Sequence, residues 1–244
     1  MNAPLRSVVT GAANGIGRAI AEHFAGRGDR VIGLDLEALA GGVEIVTCDL
    51  ADVGSRSAAV AAAADRLGGI DVLVNAAGVF REGGLLDSGL DDWRGVWAVD
   101  LEAAIDLMRL TAQGMAERGF GRIVNITSVH ASHGQRGCLA YDVAKAGLEA
   151  ATRSGALELA GHGVLVNAVA PGFVRTRMSL LSDGTDETDT DAFRGVYVDT
   201  GKLPLGRAAT PAEIAGAVAY LGSRENTYTT GQVLTVDGGL TATF

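Results

Sequence analysis

The chain has 244 residues, of which 48% are hydrophobic, and its formal net charge is −9 at pH 7. This length and apolar content suit one large α/β domain. The negative charge argues against nucleic acid or an anionic membrane as a partner, because both would repel it. The sequence has no apolar run of membrane-span length and enters a strand too early for a secretion signal, so we expect a cytoplasmic protein.

The two cysteines, Cys48 and Cys138, fit a reducing compartment. They have neither the sequence spacing nor the neighbouring histidines that are typical of a metal site. We therefore expect that both pack in the interior and that the protein binds no metal.

The beginning of the chain predicts a strand, a glycine-rich turn and a helix. An apolar run at residues 5–10 is followed by helical periodicity from Gly15 onward. The turn between them, TGAANGIG, places Gly11, Gly15 and Gly17 where a backbone must bend sharply, approach a phosphate and pack a helix on a strand. An ordinary turn could contain the same glycines, but the position directly after the first strand favours a dinucleotide site.

The second predicted strand, residues 30–35, ends at an acidic residue. Asp35 lies where a carboxylate would accept hydrogen bonds from the ribose hydroxyls of an adenosine and would repel a 2′-phosphate. The nearby positions Asn14 and Leu36 carry no positive charge that could offset it. The sequence therefore predicts NAD rather than NADP, although Asp35 could also simply end the strand.

Strands and helices alternate along the rest of the chain without a break in composition. Further strands are predicted at 43–50, 70–78, 121–128, 164–171 and 232–237, and further helices at 55–68, at 91–118 with a break near Asp100, around Tyr141 and at 211–222. This alternation predicts a single domain, residues 1–244, in which a doubly wound parallel (Rossmann) sheet of about seven strands has helices on both faces.

Residues 179–205 are the one irregular region of this pattern. Five acidic residues fall between Asp183 and Asp191, with no base among them. Such a composition predicts a mobile, solvated flap beside the substrate site.

The run from Ser128 to Lys145 places a hydroxyl, a phenol and an amine at spacings that suit hydride transfer. Tyr141 and Lys145 are four residues apart, so on a helix their side chains lie on one face. The Lys145 ammonium would lower the pKa of Tyr141, and Ser128 could hold the substrate oxygen while Tyr141 exchanges its proton. The tyrosine–lysine spacing alone is weak evidence, because it also arises by chance on exposed helices.

Taken in order, these motifs resemble the short-chain dehydrogenase/reductase family in its NAD-preferring form. The matching motifs are TGAANGIG from Thr10 to Gly17, Asp49, NAAG from Asn75 to Gly78, Ser128, YDVAK from Tyr141 to Lys145, PGFVRT from Pro171 to Thr176 and VDGG from Val236 to Gly239. The resemblance implies that Tyr141 is the acid/base, that Ser128 positions the substrate oxygen, and that Lys145 holds the nicotinamide ribose. It also implies a homotetramer. The positions that would contact the cofactor are Gly11, Asn14, Gly15, Ile16, Gly17, Asp35, Leu36, Asp49, Leu50, Asn75, Ala76, Ala77, Gly78, Tyr141, Lys145, Pro171, Gly172, Val174 and Thr176.

Asp100 departs from the family pattern, which usually has Asn as a fourth catalytic residue at this position. If the family role depends on a backbone carbonyl that holds a water, Asp100 is a silent replacement. If its carboxylate is ionised near Lys145, it weakens the field that lowers the Tyr141 pKa.

The expected activity is hydride transfer between NAD and a secondary alcohol of a small polar molecule such as a sugar or polyol. His130 and Arg136, on the loop after Ser128, could contact that substrate, or could simply be solvated. An alternative is reduction of a 3-oxoacyl group on a carrier, which the acidic flap and negative charge disfavour if the carrier is acidic. A third hypothesis is a catalytically silent NAD-binding regulator, which the intact Ser128, Tyr141 and Lys145 disfavour.

Overall fold

Seven parallel strands form one sheet in a computed structural model that describes residues 3–38 and 42–242. The strands are β1 (Arg6–Thr10), β2 (Arg30–Asp35), β3 (Glu44–Thr47), β4 (Val72–Asn75), β5 (Gly121–Ile126), β6 (Val164–Pro171) and β7 (Val233–Val236). Their order is β3-β2-β1-β4-β5-β6-β7, and each pair is parallel. This arrangement confirms the predicted doubly wound sheet, and it brings the carboxyl ends of β1, β4, β5 and β6 to one edge.

Helices cover both faces of the sheet. They are α1 (Gly15–Gly26), α2 (Val53–Leu67), α3 (Leu90–Trp97), α4 (Ala103–Glu117), α5 (Leu139–Leu159), α6 (Asp191–Phe193) and α7 (Pro211–Leu221). On one face α1 packs against α7, and Phe24 and Ile214 are fully buried in the apolar layer below them. On the other face α2 packs against α4, and Leu107 and Ile123 lie in a second apolar layer. Two separate core layers follow from strands that are apolar on both sides, as parallel sheets require.

Three predicted strands run two or more residues past the carboxyl ends of the observed ones. At the ends of 43–50 and 121–128, the N–H groups of Cys48 and Thr127 still donate to carbonyls of the neighbouring strands. At the end of 70–78, the backbone bonds to a side chain instead. The N–H groups of Ala76 and Ala77 donate to Thr10 Oγ1, at 2.9 and 3.0 Å. These strand ends therefore form the loops of the site.

The predicted break near Asp100 is confirmed. Between α3 and α4 the helix adopts a π-helical turn at Ala98–Glu102. Such turns widen the helix locally and are frequent at functional sites. Here the turn lies over Gly78, whose added Cβ would lie 3.0 Å from an Asp100 carboxylate oxygen.

The segment 179–205 is more ordered than its composition predicts. It contains short helical turns at Glu187–Asp189, α6 and Arg194–Val198. Phe193 is buried and packs edge-on against Phe173, with ring centroids 4.8 Å apart. Asp189 pairs with Arg175, so part of the acidic charge is neutralised. The predicted solvated flap therefore describes most of the segment, but its acidic composition did not reveal that Phe193 anchors it.

Within residues 3–38 and 42–242, none of the helices combines the length and apolar character that a membrane span requires.

Candidate active site

The glycine-rich turn leaves a narrow groove at the start of α1. Gly11 has φ +68°, which favours glycine, and a Cβ on Gly17 would lie 2.3 Å from the Gly11 carbonyl oxygen. Opposite this turn, a Cβ on Gly15 would lie 3.3 Å from the Thr176 side chain. A groove with a helix N-terminus on one side and without side chains in its floor suits a dinucleotide phosphate. The residues therefore fit the predicted cofactor.

Thr10 organises this groove, and the sequence analysis missed its role. As described above, its hydroxyl accepts hydrogen bonds from two successive N–H groups of the NAAG loop. It thereby fixes that loop beside the glycine-rich turn. The signal was present, since Thr10 is the last residue of β1 and the first of the TGAANGIG motif.

At the other end of the groove, Asp35 lies at the end of β2 as predicted. Its carboxylate accepts hydrogen bonds from the N–H groups of Ala13 and Glu37, at 2.9 and 3.1 Å. The side chain of Glu37 contacts Asn14 Nδ2 and Arg177 Nη1, each at 3.2 Å. Arg177, which reaches this end from the loop after Thr176, is a positive charge that the sequence neighbours of Asp35 do not reveal.

The other predicted cofactor positions line the same edge of the sheet. Asp49 is exposed and accepts a hydrogen bond from the N–H of Ala51 at 2.9 Å. Leu50, Asn75, Ala77 and Asp100 share one small cavity. Ile16 is partly buried against the apolar layer that contains Phe24 and Ile214, and Leu36 is exposed. Pro171 ends β6, and the N–H of Gly172 donates to Val236 at 3.1 Å. Val174 forms a bridge with Ala209, which holds the chain that leads to Thr176.

Ser128, Tyr141 and Lys145 come together beyond the end of β5. Ser128 Oγ accepts a hydrogen bond from the N–H of His130 at 3.2 Å, which fixes its position at the start of the next turn. Tyr141 is in the first turn of α5 and is half-buried between the rings of Phe80 and His130, 5.7 and 5.6 Å away. Lys145 Nζ lies 5.3 Å from the centre of the Tyr141 ring.

The Lys145 ammonium is held by a buried ion pair. Its Nζ lies 3.1 Å from Asp100 Oδ2 and donates to the Ile126 carbonyl at 3.2 Å. The other carboxylate oxygen of Asp100 accepts a hydrogen bond from the N–H of Val79 at 2.7 Å. The two side chains are 4% and 0% exposed, so solvent does not screen the contact. This geometry is what the electrostatic hypothesis for Asp100 requires.

The surroundings of Tyr141 and Lys145 shift the pKa values of both groups. Burial raises the pKa of Tyr141, while Lys145 lowers it, Asp100 raises it and the Ser128 hydroxyl lowers it, with a net increase. Burial lowers the pKa of Lys145, but the charges of Asp100 and Tyr141 outweigh that effect and raise it. The predicted effect of Lys145, which lowers the Tyr141 pKa, is present, but in the free protein burial and Asp100 outweigh it.

The loop after Ser128 brings polar groups to the same place. His130 Nδ1 lies 2.7 Å from Asp142 Oδ1. Arg136 is exposed on this loop. Cys138 lies within 4.8 Å of ligand atoms of both His130 and Asp142. The prediction that neither cysteine has a neighbouring histidine is therefore wrong for Cys138. The spacing of residues along the sequence does not show that this loop folds back and brings His130 close.

The match to known families agrees with this geometry. A family model described as Enoyl-(Acyl carrier protein) reductase matches residues 11–241. The chain belongs to the short-chain dehydrogenase/reductase family. Among its relatives in this family is the 3-oxoacyl-(acyl-carrier-protein) reductase FabG of Vibrio cholerae, which is 38% identical over 96% of both chains.

Solved members of the short-chain dehydrogenase/reductase family share the fold over nearly the whole chain. The ligand-free aldohexose dehydrogenase of Thermoplasma acidophilum has a TM-score of 0.90 and 31% identity, and the match covers 99% of this chain and 95% of that one. A protein from Beutenbergia cavernae, proposed as an NAD(P)-dependent gluconate 5-dehydrogenase and solved with NADP at low occupancy, has a TM-score of 0.88 and 37% identity over 99% and 98% of the two chains. Oxidoreductase activity is thus supported, and the relatives differ in substrate class.

Proposed function

We propose that this protein is an NAD-dependent dehydrogenase that oxidises a secondary alcohol of a small polar molecule, such as a sugar or polyol, to a ketone or lactone. The observation that carries this proposal is the joint placement of Ser128, Tyr141 and Lys145 at the carboxyl edge of the sheet, next to the glycine-rich groove. The intact set of three also disfavours a silent NAD-binding regulator.

Each of the three side chains has a separate task in the proposed reaction. Bound NAD would accept the hydride from the carbinol carbon. The Tyr141 phenolate takes the hydroxyl proton of the alcohol, and the Ser128 hydroxyl donates a hydrogen bond to the same oxygen. The Lys145 ammonium, 5.3 Å from the Tyr141 ring, stabilises the phenolate. Asp100 orients the Lys145 ammonium, and its negative charge reduces the stabilisation that this ammonium gives to the Tyr141 phenolate.

The preference for NAD rests on the carboxylates at the end of β2. Asp35 and Glu37 both lie where the adenosine ribose is expected, and a 2′-phosphate would meet their negative charge. The positive charge of Arg177 is already paired with Glu37 at 3.2 Å, so it only partly offsets them.

The polar loop after Ser128 supports a polar substrate. Because Asp142 holds Nδ1 of His130, the other ring nitrogen remains available to bind a substrate hydroxyl, and Arg136 could reach a substrate carboxylate. Reduction of a 3-oxoacyl thioester is the second candidate. It is favoured by the name of the Vibrio cholerae relative and by the exposed apolar side chains of Leu85 and Leu86.

A screen of substrates by NADH absorbance separates the two candidates. It should include polyols, sugars, hydroxy acids and 3-hydroxyacyl thioesters, each with NAD and NADP. We expect the highest kcat/KM with a sugar, polyol or sugar acid and NAD. A maximum with a 3-hydroxyacyl thioester would replace the first candidate by the second, and no turnover with any class would contradict both.

We further propose that 179–205 closes over the substrate and that four copies of the chain assemble. The first proposal predicts slower hydrogen exchange in 180–189 on adding NAD and substrate, while the segment anchored by Phe193 is protected already.

The second proposal, a tetramer, is supported by exposed apolar residues on α4 and α5, Ile105, Val143 and Leu157. Light scattering after size exclusion measures the mass directly, and a monomer would contradict the second proposal.

A further inference from the structure

Three different metal-binding side chains meet beside the catalytic tyrosine. The ligand atoms of His130, Cys138 and Asp142 all lie within 4.8 Å of one another. They provide an imidazole nitrogen, a sulfur and a carboxylate oxygen. This mixed set differs from the acidic clusters that are common on protein surfaces.

The backbone fixes all three positions. Cys138 precedes α5, its carbonyl accepts the N–H of Asp142 at 2.8 Å, and it forms a bridge with Gly83. His130 lies in the short turn Val129–Ala131, and its own N–H donates to Ser128 Oγ at 3.2 Å. The second carboxylate oxygen of Asp142 accepts a hydrogen bond from the N–H of Gln135 at 3.2 Å. Such outer hydrogen bonds orient the ligands in metal sites.

We propose that His130, Cys138 and Asp142 form a binding site for a divalent transition metal of the zinc type. Zinc binds nitrogen, sulfur and oxygen ligands with bonds of about 2.0–2.3 Å in tetrahedral geometry, so its ligand atoms lie roughly 3.3–3.6 Å apart. His130 Nδ1 and Asp142 Oδ1, now 2.7 Å apart, would separate slightly, and Cys138 Sγ would move inward. The nearly buried thiol and the partly exposed His130 and Asp142 leave the fourth position to water.

Metal binding exchanges protons for the ion. Burial raises the pKa of the Cys138 thiol to about 11, so at neutral pH the thiol is protonated and releases its proton when the metal binds. For Nδ1 of His130 to bind the metal, the ring must carry its hydrogen on the other nitrogen. The ligands adjoin the catalytic groups, since Asp142 follows Tyr141 and His130 is held by Ser128, so occupancy should also lower turnover.

Cobalt titration tests the site without depending on activity. The protein is freed of metal with a chelator, kept reduced, and titrated with Co²⁺, which gives a near-ultraviolet charge-transfer band when a thiolate binds it. We expect one Co²⁺ per chain, displacement by Zn²⁺, loss of the band in Cys138→Ser and at least tenfold weaker binding in Asp142→Asn. Cys48→Ser is the matched control, because Cys48 is equally buried and outside the cluster, and it should keep the band.

The result that would overturn the proposal is a wild-type protein with no charge-transfer band, or a band that survives in Cys138→Ser. A thermal melt checks that each variant is folded. If Cys138→Ser does not fold, X-ray absorption on zinc-loaded Cys48→Ser decides, because Cys138 is then the only cysteine. One sulfur neighbour at about 2.3 Å would support the site, and its absence would contradict it.

Discussion

Two ion pairs of almost equal length lie at the two ends of the cofactor groove, in very different surroundings. Beside Tyr141, Lys145 Nζ is 3.1 Å from Asp100, and the side chains are 4% and 0% exposed. Near Asp35, Arg177 Nη1 is 3.2 Å from Glu37, and the side chains are 64% and 57% exposed. Judged by distance alone, the two ion pairs would be expected to be equally strong.

Burial separates the two pairs. Water and salt screen the exposed pair, and such contacts contribute little to stability. The buried pair is not screened, and removing one of its partners would leave the other charged and uncompensated. Burial raises the pKa of Tyr141, and the charges of the buried pair act on it as well, with Lys145 lowering it and Asp100 raising it.

The largest expected effect follows from removing the proton donor at the buried end. Tyr141→Phe should retain less than a tenth of wild-type kcat and should bind NADH almost normally, because the ring remains and only the hydroxyl is lost. Steady-state rates beside NADH fluorescence titration measure both properties. Tyr228→Phe is the control, since Tyr228 is fully exposed, and it should keep full activity. Substantial turnover by Tyr141→Phe would mean that the base lies elsewhere.

The second prediction compares the two pairs directly. Asp100→Ala should lower the free energy of unfolding by about 3–5 kcal/mol, because it leaves the Lys145 ammonium buried without a counter-charge. Glu37→Ala should leave the unfolding midpoint unchanged within error, because its partner Arg177 is solvated without it. Urea unfolding of the two variants and the wild type measures the difference. Equal effects would refute the role assigned to burial.

The sequence predicted the sheet and the proximity of Ser128, Tyr141 and Lys145 because those depend on local patterns. Short apolar runs predict the strands, and the segments with helical periodicity between them predict the helices. The four-residue spacing of Tyr141 and Lys145 places both side chains on one face of a helix. The break near Asp100 was also predicted. In each case the residues concerned are close in sequence.

The missed contacts all depend on how distant segments fold back. Glu37 and Arg177 are 140 positions apart, and their pairing depends on the path of the loop after β6. Whether Asp100 acts through its carboxylate or its backbone depended on the side-chain orientation in a π-helical turn. The approach of Cys138 to His130 likewise needs a loop closure that spacing does not specify.

The third prediction concerns the exposed end. NAD should be preferred to NADP by at least tenfold in kcat/KM, which corresponds to about 1.4 kcal/mol. Asp35→Ser should reduce this ratio more than Glu37→Gln, because Asp35 lies on the rigid end of β2 and Glu37 is already paired with Arg177. Initial rates with both cofactors give the ratios. Equal use of NAD and NADP by the wild type would contradict the preference.

The most direct test of the buried pair is the pH dependence of kcat/KM for alcohol oxidation in Asp100→Asn. Asparagine keeps the shape and the acceptor for the N–H of Val79 but removes the negative charge that raises the pKa of Tyr141. A lower Tyr141 pKa makes the phenolate available at lower pH, so the profile should move to lower pH. Glu102→Gln, an exposed charge on the same turn, is the control and should leave it unchanged.

The profile should be recorded with a chelator present, so that no metal at Asp142 contributes. We expect a shift between about a third of a unit and one full unit, the latter equal to about 1.4 kcal/mol of coupling. A shift smaller than roughly a third of a unit, or one toward higher pH, would contradict control of Tyr141 by the Asp100–Lys145 pair and leave Asp100 with a structural role.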